Sequence, residues 1–209
     1  MREKEATTRV LFVRHGKTDF PTDRIYCDDR EDPALNEEGH THAQFAAKLL
    51  ASQPVDAIYT SPSSRTRMTA EAIAKVVKAP IAEITELRER RFGVWDGLFF
   101  DEIAERYPDD YLAWRQDKVN YTPQGGETIP QLRERVVSAV NSIVGDHKSK
   151  LVVVVSHVGA IRVALADAMS MPLENYRQIR IDYGAVSRVD YGRTQNDLAF
   201  SNVSFFLNI

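Results

Sequence analysis

Scarcities bound what this sequence of 209 residues can be. It has one cysteine, Cys27, which excludes an intrachain disulfide framework. Neither sign of charge prevails: 27 Lys and Arg against 30 Asp and Glu leave a net charge of −3. A protein devoted to nucleic acid carries a basic excess, so no nucleic-acid partner is expected and any anion must be held at a local site. The longest strongly apolar run, Leu151 to Val155, is far too short to cross a bilayer, so no membrane partner is expected either. The segment Met1 to Arg9 is polar and lacks the apolar core of a signal peptide. The expectation is a reduced, cytoplasmic protein, in which the N-x-S/T triplets at Asn120 and Asn202 carry no weight. Clustered Cys/His/Asp zinc spacing, a Walker-type loop and a GxGxxG fingerprint are all missing, so neither a metal nor a cofactor is expected. The acidic stretch Asp28 to Asp32 reads as a solvated loop rather than a Mg²⁺ cage.

What is present is ordinary material for a buried core, with 43% hydrophobic residues. Val10 to Val13 and Asp56 to Tyr59 read as short strands, and Pro80 to Leu87 as a possible third. Leu151 to Val155 has no polar alternation, as expected of a strand covered on both faces. Asn36 opens a helix, Ser61-Pro62-Ser63 caps another that runs to about Val77, and Pro130 to Val144 and Ala160 to Met169 are further helices. Ala185 to Tyr191 and Val203 to Leu207 read as late strands, pairing antiparallel at an edge. Alternating strands and helices predict an α/β fold, a three-layer α/β/α sandwich with a mostly parallel central sheet. Residues 1–209 are expected to form one domain. The aromatic-rich stretch of about 92–126, broken by Pro108, Pro123 and Gly125-Gly126, reads as a small helical cap insertion.

Two strands end in the same way, Val13-Arg14-His15-Gly16 and Val155-Ser156-His157-Val158-Gly159. Ligands of open α/β sheets bind beyond the carboxyl ends of strands. Each strand end therefore offers an imidazole, followed by a glycine where the backbone can turn or approach a ligand closely. Arg14 adds a permanent cation suited to two-pronged contact with phosphate. His40, His42 and His147 lack such a setting and read as ordinary surface or core residues.

An ordered set of motifs makes this chain resemble the histidine phosphatase superfamily, the cofactor-dependent phosphoglycerate mutase-like proteins. The motifs are Leu11 to Thr18, which holds Arg-His-Gly; Asp32 to Gly39; Tyr59 to Arg65 with Thr69-Ala70; Leu87 to Gly97; Gly125 to Thr128; and Val155 to Arg162. The resemblance implies that His15 is a nucleophile that forms a phosphohistidine. A neutral imidazole avoids the repulsion that a dianionic phosphomonoester exerts on an anionic nucleophile. It also implies that Arg14 and Arg65 bind the phosphoryl group, and that His157 contacts it and is positively charged during transfer. The backbone N–H of Val158 is a further candidate donor. Glu89 takes the general-acid position, must hold a proton for the first step, and can then activate water. Glu86 is its nearest rival. Arg88, Arg90 and Arg91 are expected to point elsewhere or to meet an anionic substrate tail.

The chain departs from the family where Lys17 replaces a common glutamate, where Phe20-Pro21 replaces Trp-Asn, and where Cys27 replaces a glycine. Thr18, Lys17 and Arg24 are carried as substrate-binding candidates, with exposed loop charges the alternative for Lys17 and Arg24. The resemblance implies a small phosphorylated metabolite as substrate, and the protein is expected to be a monomer or homodimer. Compact length and Gly125-Gly-Glu-Thr128 favour a phosphatase. A phosphoglycerate mutase is the second reading and a non-catalytic phosphate-binding regulator the third.

Overall fold

The computed structural model describes residues 7–25 and 30–205. Cys27 and the Asp28-Asp29 part of the acidic stretch lie outside the described residues. Six strands, β1 (Thr8–Arg14), β2 (Ala57–Thr60), β3 (Ile81–Glu83), β4 (Leu151–Ser156), β5 (Val186–Tyr191) and β6 (Asn196–Val203), form one sheet in the order β3-β2-β4-β1-β5-β6. Pairings β3–β2, β2–β4 and β4–β1 are parallel, whereas β1–β5 and β5–β6 are antiparallel. The described residues form six α-helices, α1 (Glu37–Leu50), α2 (Ser64–Val77), α3 (Phe100–Arg106), α4 (Pro108–Gln116), α5 (Ile129–Asp146) and α6 (Val158–Ala168).

The uninterrupted apolar strands have a direct cause. Successive side chains of a strand point to opposite faces. Val10, Phe12, Val152 and Val154 pack with Leu132, Val136 and Val140 of α5 and with Ile161 and Leu165 of α6. Leu11, Val13, Val153 and Val155 pack on the other face, with Ala46, Ala47 and Leu50 of α1 and Ala70 and Ile73 of α2. Both faces are thus covered, which makes three layers. Burying each such side chain contributes about 1.5–3 kcal/mol.

Two local expectations are corrected. The last strand is Asn196–Val203 rather than Val203 to Leu207, of which Phe206 and Leu207 lie outside the described residues. It is an edge strand with exposed positions, so it lacks the apolar signal a buried strand carries. The segment Pro80 to Leu87 does hold a third strand, Ile81–Glu83, after which Thr85–Leu87 turns into a 3-10 helix. Helix α2 begins after Ser63, but the carboxylate of Asp32 accepts the N–H of Ser64 at 2.8 Å, and the N-cap serine makes no side-chain capping bond. Asn36 caps α1 as the pattern implies, accepting the N–H of Gly39.

The stretch 92–126 holds a 3-10 turn (Gly93–Trp95), α3 and α4. Trp95, Leu98, Ile103 and Ile25 form a separate apolar cluster there, flanked by Phe92, Tyr111, Trp114 and Tyr121.

Candidate active site

Strands β1 and β4 are parallel neighbours with Arg14 opposite Ser156. That register sets the residues after each strand side by side, and the N–H of His15 donates to the carbonyl of Ser156 at 3.1 Å. The two imidazole centroids lie 5.2 Å apart. Gly16 makes the turn after β1 possible, because a Cβ there would run into the Gly39 backbone at the start of α1.

Arg65, on the first turn of α2, is 1% exposed and fixes the protonation of both rings. Its Nε donates to His15 Nε2 at 3.3 Å and its Nη2 to His157 Nδ1 at 3.0 Å. A guanidinium has donors only, so both of those nitrogens carry lone pairs. His15 therefore holds its proton on Nδ1 and donates it to the Gly16 carbonyl at 2.7 Å. His157 holds its proton on Nε2 and donates it to Ser61 Oγ at 2.9 Å. Both rings are neutral here. Burial first, then the charges of Arg65 and Arg14, push the His15 pKa well below its ordinary 6.5. Burial, Arg65 and His15 do the same to His157. A ring facing Arg65 cannot hold a second proton cheaply, and the charge expected on His157 belongs to the transfer step alone.

Arg14 donates to the Ile181 carbonyl at 2.8 Å and stacks at 3.7 Å over the ring of Tyr183, a residue the sequence reading missed. Glu89 follows the Thr85–Leu87 turn and is 9% exposed. Its two oxygens accept the N–H groups of Arg90 at 2.8 Å and Gly159 at 3.0 Å. A Cβ on Gly159 would strike that carboxylate, so glycine is required there for Glu89 to dock on the start of α6. Arg135 of α5 clamps the same loop, donating to the carbonyls of Glu86, Arg88 and Glu89 while pairing with the buried Glu127. Nothing in the spacing of α5 marks Arg135, which is a polar position on an amphipathic helix until the loop is folded onto it.

Arg14, His15, Arg65, Glu89 and Val158 line one cavity of about 280 Å³, the size of a small metabolite. His157 sits directly behind them, fully buried. Val158 is the first residue of α6, where a backbone N–H has no acceptor within the helix and favours an anion. Among the described residues, no group of three His, Cys, Asp or Glu side chains is arranged to hold a metal ion. No helix among them is long and apolar enough to cross a membrane.

A family model described as the histidine phosphatase superfamily (branch 1) matches residues 10–204. The chain belongs to this superfamily. It is 33% identical to the "Bifunctional protein Rv2228c" of Mycobacterium tuberculosis, over 88% of this chain and 50% of that one, so it spans about half the length of that relative. It is 27% identical to "Phosphoserine phosphatase 1" of Hydrogenobacter thermophilus, over 95% of this chain and 94% of the relative. A solved structure described as "Bacillus stearothermophilus YhfR" is 29% identical, with a TM-score of 0.85, and covers 92% of this chain and 96% of that one.

Four of the six motifs supply residues to this cavity, Asp32 to Gly39 and Gly125 to Thr128 supplying none, and two of the three loop residues carried as substrate-binding candidates lie outside it. Lys17 is not a cavity residue; it pairs with Glu38 of α1 at 2.5 Å, because the close approach of Gly16 and Gly39 brings the two loops together. Thr18 is buried, its hydroxyl accepting the N–H of Phe20 at 3.3 Å, and it does not line the cavity. Arg24 does line it, with Nε on the Gly97 carbonyl at 2.5 Å and Nη2 on Glu31 at 2.9 Å. Arg90 lines it as well, one of the two alternatives open to it in the sequence.

The low pKa of His15 has a consequence for pH dependence. Its Nε2 keeps the lone pair as pH falls through 6.5, so a rate that depends on that lone pair, followed by rapid quench, should lose nothing through the His15 ring there. An acid limb centred on 6.5 and carried by His15 would contradict this. Stability runs the other way. Below 6.5 the unfolded chain takes up protons on these histidines that the folded chain refuses, so stability is complete above 6.5 and declines as pH falls below it.

Proposed function

We propose that this chain hydrolyses a small phosphomonoester through a phosphohistidine on His15. The observation that carries the reading is the unprotonated Nε2 of a buried, neutral His15 at the cavity wall, whose opposite nitrogen is committed to the Gly16 carbonyl and whose lone pair accepts only a long hydrogen bond from Arg65 Nε, at 3.3 Å. Nε2 attacks phosphorus, the P–O bond to the alcohol breaks, and the leaving oxygen takes a proton from Glu89. Water then attacks the phosphohistidine and gives its proton to Glu89, which releases inorganic phosphate.

Arg14 and Arg65 meet the charge on the phosphoryl oxygens, so the scheme needs no metal ion. The N–H of Val158 adds a donor at the helix start. A phosphoryl dianion beside His157 supplies the opposite charge that the empty site lacks, and so favours the imidazolium that can donate to it. Similarity to a phosphoserine phosphatase over nearly the whole of both chains supports a hydrolase acting on a small phosphorylated metabolite.

The test is phosphate release from a panel of phosphorylated metabolites with EDTA present, run beside a 3-phosphoglycerate mutase assay primed with 2,3-bisphosphoglycerate. Metal-independent phosphate release is expected. Fast isomerisation with little release would instead make the chain a mutase, and silence in both would make it a phosphate-binding module.

A further inference from the structure

The cavity is charged far beyond what phosphoryl transfer uses. Apart from Arg14 and Arg65, its walls carry Arg24, Arg90, Arg162 and Arg177, and Glu89 is the only carboxylate among the described residues that line it. Arg24 is paired with Glu31. The other three come from separate elements: Arg90 from the loop that carries Glu89, Arg162 from α6 three residues after Gly159, and Arg177 from the 3-10 segment Leu173–Gln178.

Their tethers orient them without neutralising them. Arg90 donates through Nε to the Glu127 carbonyl at 2.8 Å and through Nη2 to the Tyr121 carbonyl at 2.9 Å. Arg162 donates through Nε to the Ile179 carbonyl at 2.8 Å. Carbonyl oxygens carry no net charge, so these bonds leave the Arg90 and Arg162 charges in place, opposed only by Glu89 and, at Arg90, by Glu127 as well. Nearby carboxylates are already engaged: Glu89 by two backbone amides, Glu127 by Arg135 and the N–H of Arg91. Burial and the neighbouring charge of Arg177 hold the guanidinium pKa values of Arg90 and Arg162 below their ordinary range. The phenol of Tyr176, 7% exposed, lines the cavity among the three cations, and the buried indole N–H of Trp95, with no acceptor among the described residues, lies in the same wall. Like charges gathered around a cavity cost stability unless an anion joins them.

We propose that the alcohol half of the substrate carries a second acidic group, a carboxylate or a further phosphate, which Arg90, Arg162 and Arg177 bind beside Tyr176. The inference rests on the phosphatase reading of the site and names its substrate class. Arg90 and Arg162 are tethered guanidinium forks that match such a group in two-pronged geometry. The exposed Arg177 sits at the rim, where its charge draws the anion in.

Binding is measured by titration calorimetry in His15→Ala protein, which removes turnover from the readout. D-3-phosphoglycerate is compared with glycerol 3-phosphate, a pair that differs by a carboxylate. Fructose 1,6-bisphosphate is compared with fructose 6-phosphate, a pair that differs by a phosphate. In at least one pair the acid-bearing ligand should bind about tenfold tighter or better, and the pair that shows this tells carboxylate from phosphate. The preference should fall below about threefold in Arg162→Gln/Arg177→Gln and return in part in Arg162→Lys/Arg177→Lys. Arg177→Gln alone, at an exposed position, reports the same direction should the double variant fail to fold. Ratios near one in both pairs, or a preference that survives the glutamine substitutions, would overturn the proposal. Phosphoenzyme labelling of the unaltered protein reports separately on the phosphatase reading, so the two failures are told apart.

Discussion

His15→Ala is expected to abolish turnover and the phosphoenzyme together. With labelled substrate and acid-free quenching, the unaltered protein should show a phosphohistidine that is stable in base and lost in acid, and the variant should show none. The expected fall in kcat/KM is about 10⁴-fold or more, equivalent to about 5.4 kcal/mol of transition-state stabilisation. The size follows from the geometry. Among the described residues His15 is the only imidazole that lines the cavity, whereas His157 is fully buried behind it. The substitution should leave the fold intact, since the His15 ring makes two hydrogen bonds, to the Gly16 carbonyl and from Arg65 Nε, and belongs to neither main apolar cluster. Phosphate release that persists at a comparable rate without His15 would end the covalent mechanism.

Glu89→Gln separates leaving groups. An alkyl phosphate expels a basic alkoxide that needs a proton, whereas p-nitrophenolate leaves without one. The variant should lose about 10²–10³-fold on alkyl phosphates and less than about tenfold on p-nitrophenyl phosphate in the phosphorylation step. The structure adds a qualification to the design. Glu89 accepts an N–H on each oxygen, from Arg90 and from Gly159, and a glutamine side chain can accept only on its carbonyl end. One buried amide donor then faces an NH₂ group, which costs about 1–3 kcal/mol. Glu89→Ala, which opposes no amide with a donor, is the companion variant and should show the same split. Equal losses on both substrates in both variants would remove Glu89 from the general-acid role.

How far the sequence reaches differs from residue to residue. His15 and His157 are legible because each ends an apolar run and precedes a glycine-marked turn, and local chain chemistry controls both features. Ser61 lies inside a quoted motif, yet its bond to His157 crosses from β2 to β4 and follows from sheet order. Lys17 and Thr18 stand only two and three residues from His15 in sequence, but the chain turns after Gly16 and carries them out of the cavity. Strand β6 is missed because an edge strand has no buried face to impose alternation.

By itself, then, the sequence determines the layered fold and the identity of the imidazoles and guanidiniums that gather at the candidate site. Strand burial, glycine turns and imidazole or guanidinium chemistry are properties of short segments. Tertiary structure alone decides the protonation of those groups and the charge around them. Arg65 sets both histidine tautomers through contacts 50 and 92 residues away, and Arg135 holds the Glu89 loop from a distant helix. Arg90, Arg162 and Arg177 become one cationic wall only when three separate elements close on the same cavity. Electrostatic effects depend on distance in space and on burial, and a linear chain encodes neither until its core has formed.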